Sequence, residues 1–124
     1  MNKILREKVI KGDQRGRKLS FPTLNFSAKH ANFERGVYIV KTNIDQKTYW
    51  GLMHFGKAET FEKKEESLEI HLINFSEQES YGKEAEIQIF IKIRDPKKFG
   101  TKELLINQIE ADKKKLLEYI AINK

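Results

Sequence analysis

A mainly β fold, a small antiparallel barrel with one helix packed on its outside, is what this 124-residue sequence predicts. Up to Pro96, short β-branched and aromatic blocks are separated by Gly, Asn and Asp, the texture of successive strands joined by turns. After Pro96 the texture changes to one helical repeat, with Leu105, Ile109, Leu116 and Ile120 recurring among Lys and Glu. The length suits a single domain, residues 1–124, with one core. Five or six short antiparallel strands and a terminal helix bury their apolar faces most economically as a closed or nearly closed barrel.

Taken in order, Gly12 through Phe26 is loop-like, and within it Pro22 restrains the chain ahead of Thr23-Leu24-Asn25. If that segment is extended, Thr23 and Asn25 aim a hydroxyl and an amide oxygen the same way. Val37–Thr42 and Lys47–Met53, joined across Asn43-Ile44-Asp45-Gln46, read as a hairpin. Leu68–Ile73 and Ala85–Ile93 alternate with period two, so Leu68, Ile70 and Leu72 share one face and Glu69 and His71 the other. Thr101, behind Gly100, is placed to cap the helix.

Composition removes several function classes. With no cysteine there is no disulfide, thiolate metal site or thiol nucleophile. No apolar run approaches the ~18 residues of a membrane span, so a cytoplasmic location without a membrane partner is expected. Lys+Arg exceed Asp+Glu by 24 to 18, a formal charge of +6 that suits nucleic acid or a phosphate-rich ligand. Much of the excess lies in runs such as Lys113-Lys114-Lys115, which read as a solvated face, and Tyr38, Tyr49, Trp50 and Phe90 are not interleaved with a basic stripe. They read as barrel packing, and no nucleic-acid partner is expected.

Chemistry concentrates in two places. Gly12, Gly16, Arg17 and Lys18 form a basic, glycine-bearing loop whose amide groups can converge on an anion, although neither a Walker A motif nor a dinucleotide fingerprint is present. Thr23 and Asn25 offer two neutral oxygens suited to hydrated Mg²⁺, or else they satisfy local backbone groups. Glu69 interrupts an apolar strand and is either an ordinary exposed carboxylate or a general base for an alcohol, with His71 as its neighbour on the same face. His30 and His54 are scattered and suggest no metal cluster.

In order along nearly the whole chain, these segments resemble the riboflavin kinase family, the module that also forms the C-terminal half of bifunctional bacterial FAD synthetases. Gly12 through Asn25 is similar to its glycine-rich loop and Pro-Thr-Ala-Asn signature, and Gly36-Val37-Tyr38 to the Gly-x-Tyr strand. Gly51 through Phe61 resembles its middle motif, Glu69 through Gly82 the strand with the catalytic glutamate, and Ile93-Arg94 through Asp112 the closing strand and helix. The resemblance implies a six-stranded Greek-key-like barrel that phosphorylates riboflavin to FMN with ATP. It assigns Mg²⁺ to Thr23 and Asn25, the nucleotide to those residues and the Gly12–Lys18 loop, the base to Glu69, and the flavin to Arg94 and Phe99. Riboflavin and ATP are the implied partners of a monomer, and onward conversion to FAD is not expected from this chain alone. Ser20, His54, Glu59 and Asn74 depart from the family's Gly, Asn, Pro and Asp, and motivate the alternative of a non-catalytic flavin- or nucleotide-binding regulatory module.

Overall fold

A computed structural model describes residues 2–10, 23–57, 66–75 and 80–123. Six strands, β1 (Lys3–Lys8), β2 (Thr23–Phe26), β3 (Gly36–Ile44), β4 (Lys47–Lys57), β5 (Glu66–Leu72) and β6 (Glu84–Arg94), precede one long helix, α1 (Lys102–Ile122). All pairings are antiparallel, in the order β1-β6-β3-β4-β5-β2. Strands β3, β4 and β5 follow one another across the sheet and β6 returns beside β3, which is a Greek key. The sheet curls until its two edges meet, where the Ile10 amide donates to the Asn25 carbonyl at 2.8 Å.

Alternation sorts the side chains. Leu24 and Phe26, Tyr38 and Val40, Met53 and Phe55, Leu68 and Ile70, and Ile87 and Ile89 point inward and form the barrel core. On the outer side Val37, Ile39 and Leu52 meet Leu116 of α1, which fastens the helix to the barrel as the periodicity predicts. Leu105, Ile109 and Leu116 are buried as expected, whereas Ile120 is only half-buried. Thr101 caps α1 by accepting from the Leu104 amide at 3.2 Å.

Three details differ from the sequence reading. Thr23–Phe26, the end of the stretch read as loop-like, is strand β2, held by its pairing to β5 from Thr23↔His71 to Phe26↔Leu68. The hairpin strands run further than predicted, so the connection shrinks to Asp45-Gln46, with φ of 52° and 64°. Both angles suit a primed two-residue turn, and cross-strand pairing on either side enforces it without the usual Asn-Gly. Strand β1 also has no clear sequence signature, because three of its six residues are basic and one is acidic. It exists because its backbone completes β6, in register from Lys3↔Ile89 to Lys8↔Glu84. Among the described residues, no helix is long and apolar enough to cross a membrane.

Candidate functional site

The outer face of β2, β5 and β4 carries the polar residues that the core rejects. Asn25 stands directly opposite Glu69, and Thr23 opposite His71. Across the next strand pair, Glu69 faces His54 and His71 faces Leu52. One row across the sheet therefore reads Asn25, Glu69, His54, Val37 and Arg94, and the neighbouring row Thr23, His71, Leu52 and Ile39. Directly opposed residues of an antiparallel pair share a face, with Cβ atoms about 5 Å apart. Local sequence thus sets which way Thr23, Asn25 and Glu69 point, and the β2–β5 register brings them together.

Of the six polar members of these rows all but Arg94, namely Thr23, Asn25, Glu69, His71 and His54, lie on the three strands nearest the β2 edge, and these five are half-buried. A hydroxyl, an amide oxygen and a carboxylate side by side make a hard, oxygen-rich donor set of the kind Mg²⁺ takes. Among the described residues no three His, Asp or Glu cluster closely enough to hold a metal ion by themselves. Thr23 and Asn25 are neutral oxygen donors of the kind that such a cation takes alongside phosphate oxygens and water.

Beside the second row, between the end of β5 and α1, opens a cleft of about 450 Å³. His71 and Leu52 reach it from the sheet, Ile109, Lys113 and Leu116 from the helix, and Phe75 from the segment after β5. A volume of that size with apolar walls and a few polar groups is typical of a small-molecule site. Asn74, which also lines the cleft, sits in the turn after β5 with φ of 59°, a left-handed conformation that Asn tolerates well.

Arg94 and Phe99 stand one contact behind the helical wall of this cleft. Phe99 packs with Leu105 and Ile109, and Ile109 lines the cleft. The Arg94 guanidinium grips Asp112 of α1, Nε donating at 2.9 Å and Nη2 at 2.9 Å, and its centre lies 6.0 Å from the Phe99 ring. Gly12, Gly16, Arg17, Lys18, Ser20 and Glu59 fall outside the described residues.

Two motif glycines have a steric reason. A Cβ on Gly51 would lie 2.5 Å from the His71 carbonyl oxygen, so β4 could not approach β5 beside the site. A Cβ on Gly36 would lie 2.7 Å from the Arg94 carbonyl oxygen. Sequence reasoning does not place His54 opposite Glu69 or Lys113 at the cleft. His54 was detectable in principle, since it continues the Trp50, Leu52 alternation onto the outer face, but Lys113 looked like one of three solvated lysines.

Known proteins resemble this chain in sequence and in fold. The sequence matches the family described as riboflavin kinase over residues 2–120. It is 37% identical over 91% of its length to the bifunctional riboflavin kinase/FMN adenylyltransferase of Bacillus subtilis, covering 37% of that protein. It is 39% identical over 84% of its length to the RNA-binding riboflavin kinase RibR of the same organism, covering 45% of it. The chain spans less than half the length of these curated relatives. The fold is shared with the crystal structure of riboflavin kinase from Trypanosoma brucei, with a TM-score of 0.68 and 18% identity, covering 95% of this chain and 79% of that one.

Proposed function

The chain belongs to the riboflavin kinase family, and from that premise we propose that it transfers the terminal phosphoryl group of ATP to the ribityl 5'-hydroxyl of riboflavin, giving FMN. The observation that carries this reading is the register that sets Asn25 opposite Glu69 and Thr23 opposite His71, next to a cleft of about 450 Å³.

In this reading the flavin ring occupies the cleft against Ile109 and Leu116, with Arg94 and Phe99 bracing the wall from behind, and the ribityl chain runs along the outer face toward Glu69. Glu69 takes the proton of the 5'-hydroxyl as its oxygen bonds to the γ-phosphorus and the bond to the ADP bridging oxygen breaks. Thr23 and Asn25 would hold Mg²⁺, which would supply positive charge against the phosphates. Gly12, Gly16, Arg17 and Lys18 are assigned to the nucleotide by the family resemblance of their motif. Alignment and charge neutralisation supply most of the rate in such transfers, so this small set suffices.

The same reading makes riboflavin and ATP the partners of a cytoplasmic monomer. It assigns no nucleic-acid partner, in support of which Trp50, Phe90 and Tyr119 are packed against one another, with centroids 5.3 to 6.2 Å apart, rather than spread as base platforms.

The test is chromatographic detection of FMN from riboflavin and ATP, with and without magnesium. FMN should form only with magnesium, and Glu69→Gln should lower turnover by about 10² to 10⁴. Riboflavin binding without any FMN from the wild-type chain would replace this reading with that of a regulatory flavin-binding module, for which the departures at His54 and Asn74 give the motive.

A further inference from the structure

An aspartate followed by Lys113-Lys114-Lys115 on a polar helix reads as solvent-facing, yet the Asp112 side chain is only 3% exposed. It accepts three hydrogen bonds from Arg94, at 2.9, 3.1 and 2.9 Å, and a fourth from Gln108 at 3.0 Å. A buried carboxylate is expensive unless it is paired and hydrogen-bonded, and an apolar pair of similar volume commonly stabilises as well or better. Stability alone therefore does not explain the pair, since Leu116, one turn further on, already seals α1 against Val37, Ile39 and Leu52.

What the planar two-pronged contact adds is direction. It fixes the rotation and axial register of α1 against the end of β6. Arg94 Nη1 also donates to the Asp95 carbonyl at 3.2 Å, so one guanidinium joins the helix, the strand and the segment that follows it. Ile109, Lys113 and Leu116, which flank Asp112 on α1, are the residues that face His71 and Leu52 across the cleft. Arg94 itself shares a row with Glu69, three strand spacings or about 14 Å away.

We propose that Asp112 is a positioning residue for the flavin end of the site, acting through Arg94 to hold the helical wall of the cleft at the spacing riboflavin requires; this rests on the kinase reading above. Asp112 touches neither substrate in that reading, and Arg94, through which it acts, stands on β6, four strand positions across the sheet from the Thr23 and Asn25 of β2.

The experiment is steady-state FMN formation by the wild-type chain and Asp112→Asn, with riboflavin affinity measured separately by quenching of flavin fluorescence in the absence of nucleotide. The expected result is a riboflavin KM and Kd raised about tenfold, with kcat and the KM for ATP changed less than about twofold. Should Asp112→Asn fail to fold, Gln108→Leu carries the test, because it leaves the ion pair intact and removes one bond that orients it; a riboflavin KM raised about two- to threefold is then expected. An unchanged riboflavin KM in a folded variant, or equal losses for riboflavin and ATP, overturns the proposal. Absence of FMN from the wild-type chain would instead count against the kinase reading itself.

Discussion

Along β5 the inward residues Leu68 and Ile70 are fully sealed in the barrel, while Glu69 and His71, one step along the same strand, are half-exposed and stand opposite Asn25 and Thr23. The inner set is interchangeable in kind, since any apolar residue of similar volume serves packing. The outer set is not, because each member contributes a different donor or acceptor to one place. The contrast shows how a strand can separate stability from chemistry with a period of two: residues of the first kind determine whether the barrel exists, and residues of the second determine what its surface does.

The sharpest way to break the inner half of this comparison is Ile70→Ala. Ile70 is 0% exposed and lies in the main core, so a loss of about 2 to 5 kcal/mol is expected, read as a lower midpoint in denaturant with an unchanged slope. Any fall in turnover should then track the unfolded fraction, which separates it from a defect of the site.

Smaller is the effect of removing the helix cap. Thr101→Ala deletes the acceptor for the Leu104 amide and should cost about 1 kcal/mol, seen as a modest drop in Tm. Because α1 forms one wall of the cleft, the same variant should weaken riboflavin binding no more than the lost helix stability explains.

The smallest effect expected is in alkali. Burial pushes the Tyr38 phenol above its ordinary range, with partial relief from Lys92, and its hydroxyl donates to the Glu34 carbonyl. The Lys92 ammonium is held above its ordinary range chiefly by its hydrogen bond to Asp95, at 2.6 Å. Both folded values exceed the unfolded ones, so between them the folded state keeps protons that the unfolded state has lost. Stability from these groups is complete below about pH 10 and declines as pH rises above it. A melting series from pH 9 to about 11.5 should show that decline, and Tyr38→Phe should make it shallower. An identical slope in the variant would remove Tyr38 from the account.

Much of this arrangement was legible in the sequence because it is local. Period-two alternation placed Leu68, Ile70 and Leu72 opposite Glu69 and His71, and a hydroxyl behind a glycine marked the start of α1. Thr23 and Asn25 share a face for the same reason. What local pattern does not contain is pairing at a distance. Nothing in residues 23–26 says that β5 is their partner, or that the register puts Asn25 rather than Leu24 beside Glu69. Strand β1 was obscured because its charges are tolerated on an edge that needs only backbone bonds, and Asp112 because its burial depends on an arginine 18 residues earlier. The family resemblance of ordered motifs supplied the roles proposed for Glu69, Thr23 and Asn25, and the β2–β5 register supplied their proximity.

The central claim, that the outer face carries the chemistry while the inner face carries the fold, is tested most directly by one preparation of Thr23→Ala/Asn25→Ala measured for both thermal unfolding and FMN formation. Both residues sit outside the core, so Tm should stay within a few degrees of wild type while magnesium-dependent FMN formation is lost. A well-folded double variant that still makes FMN at the wild-type rate, with the same dependence on magnesium, would contradict the account.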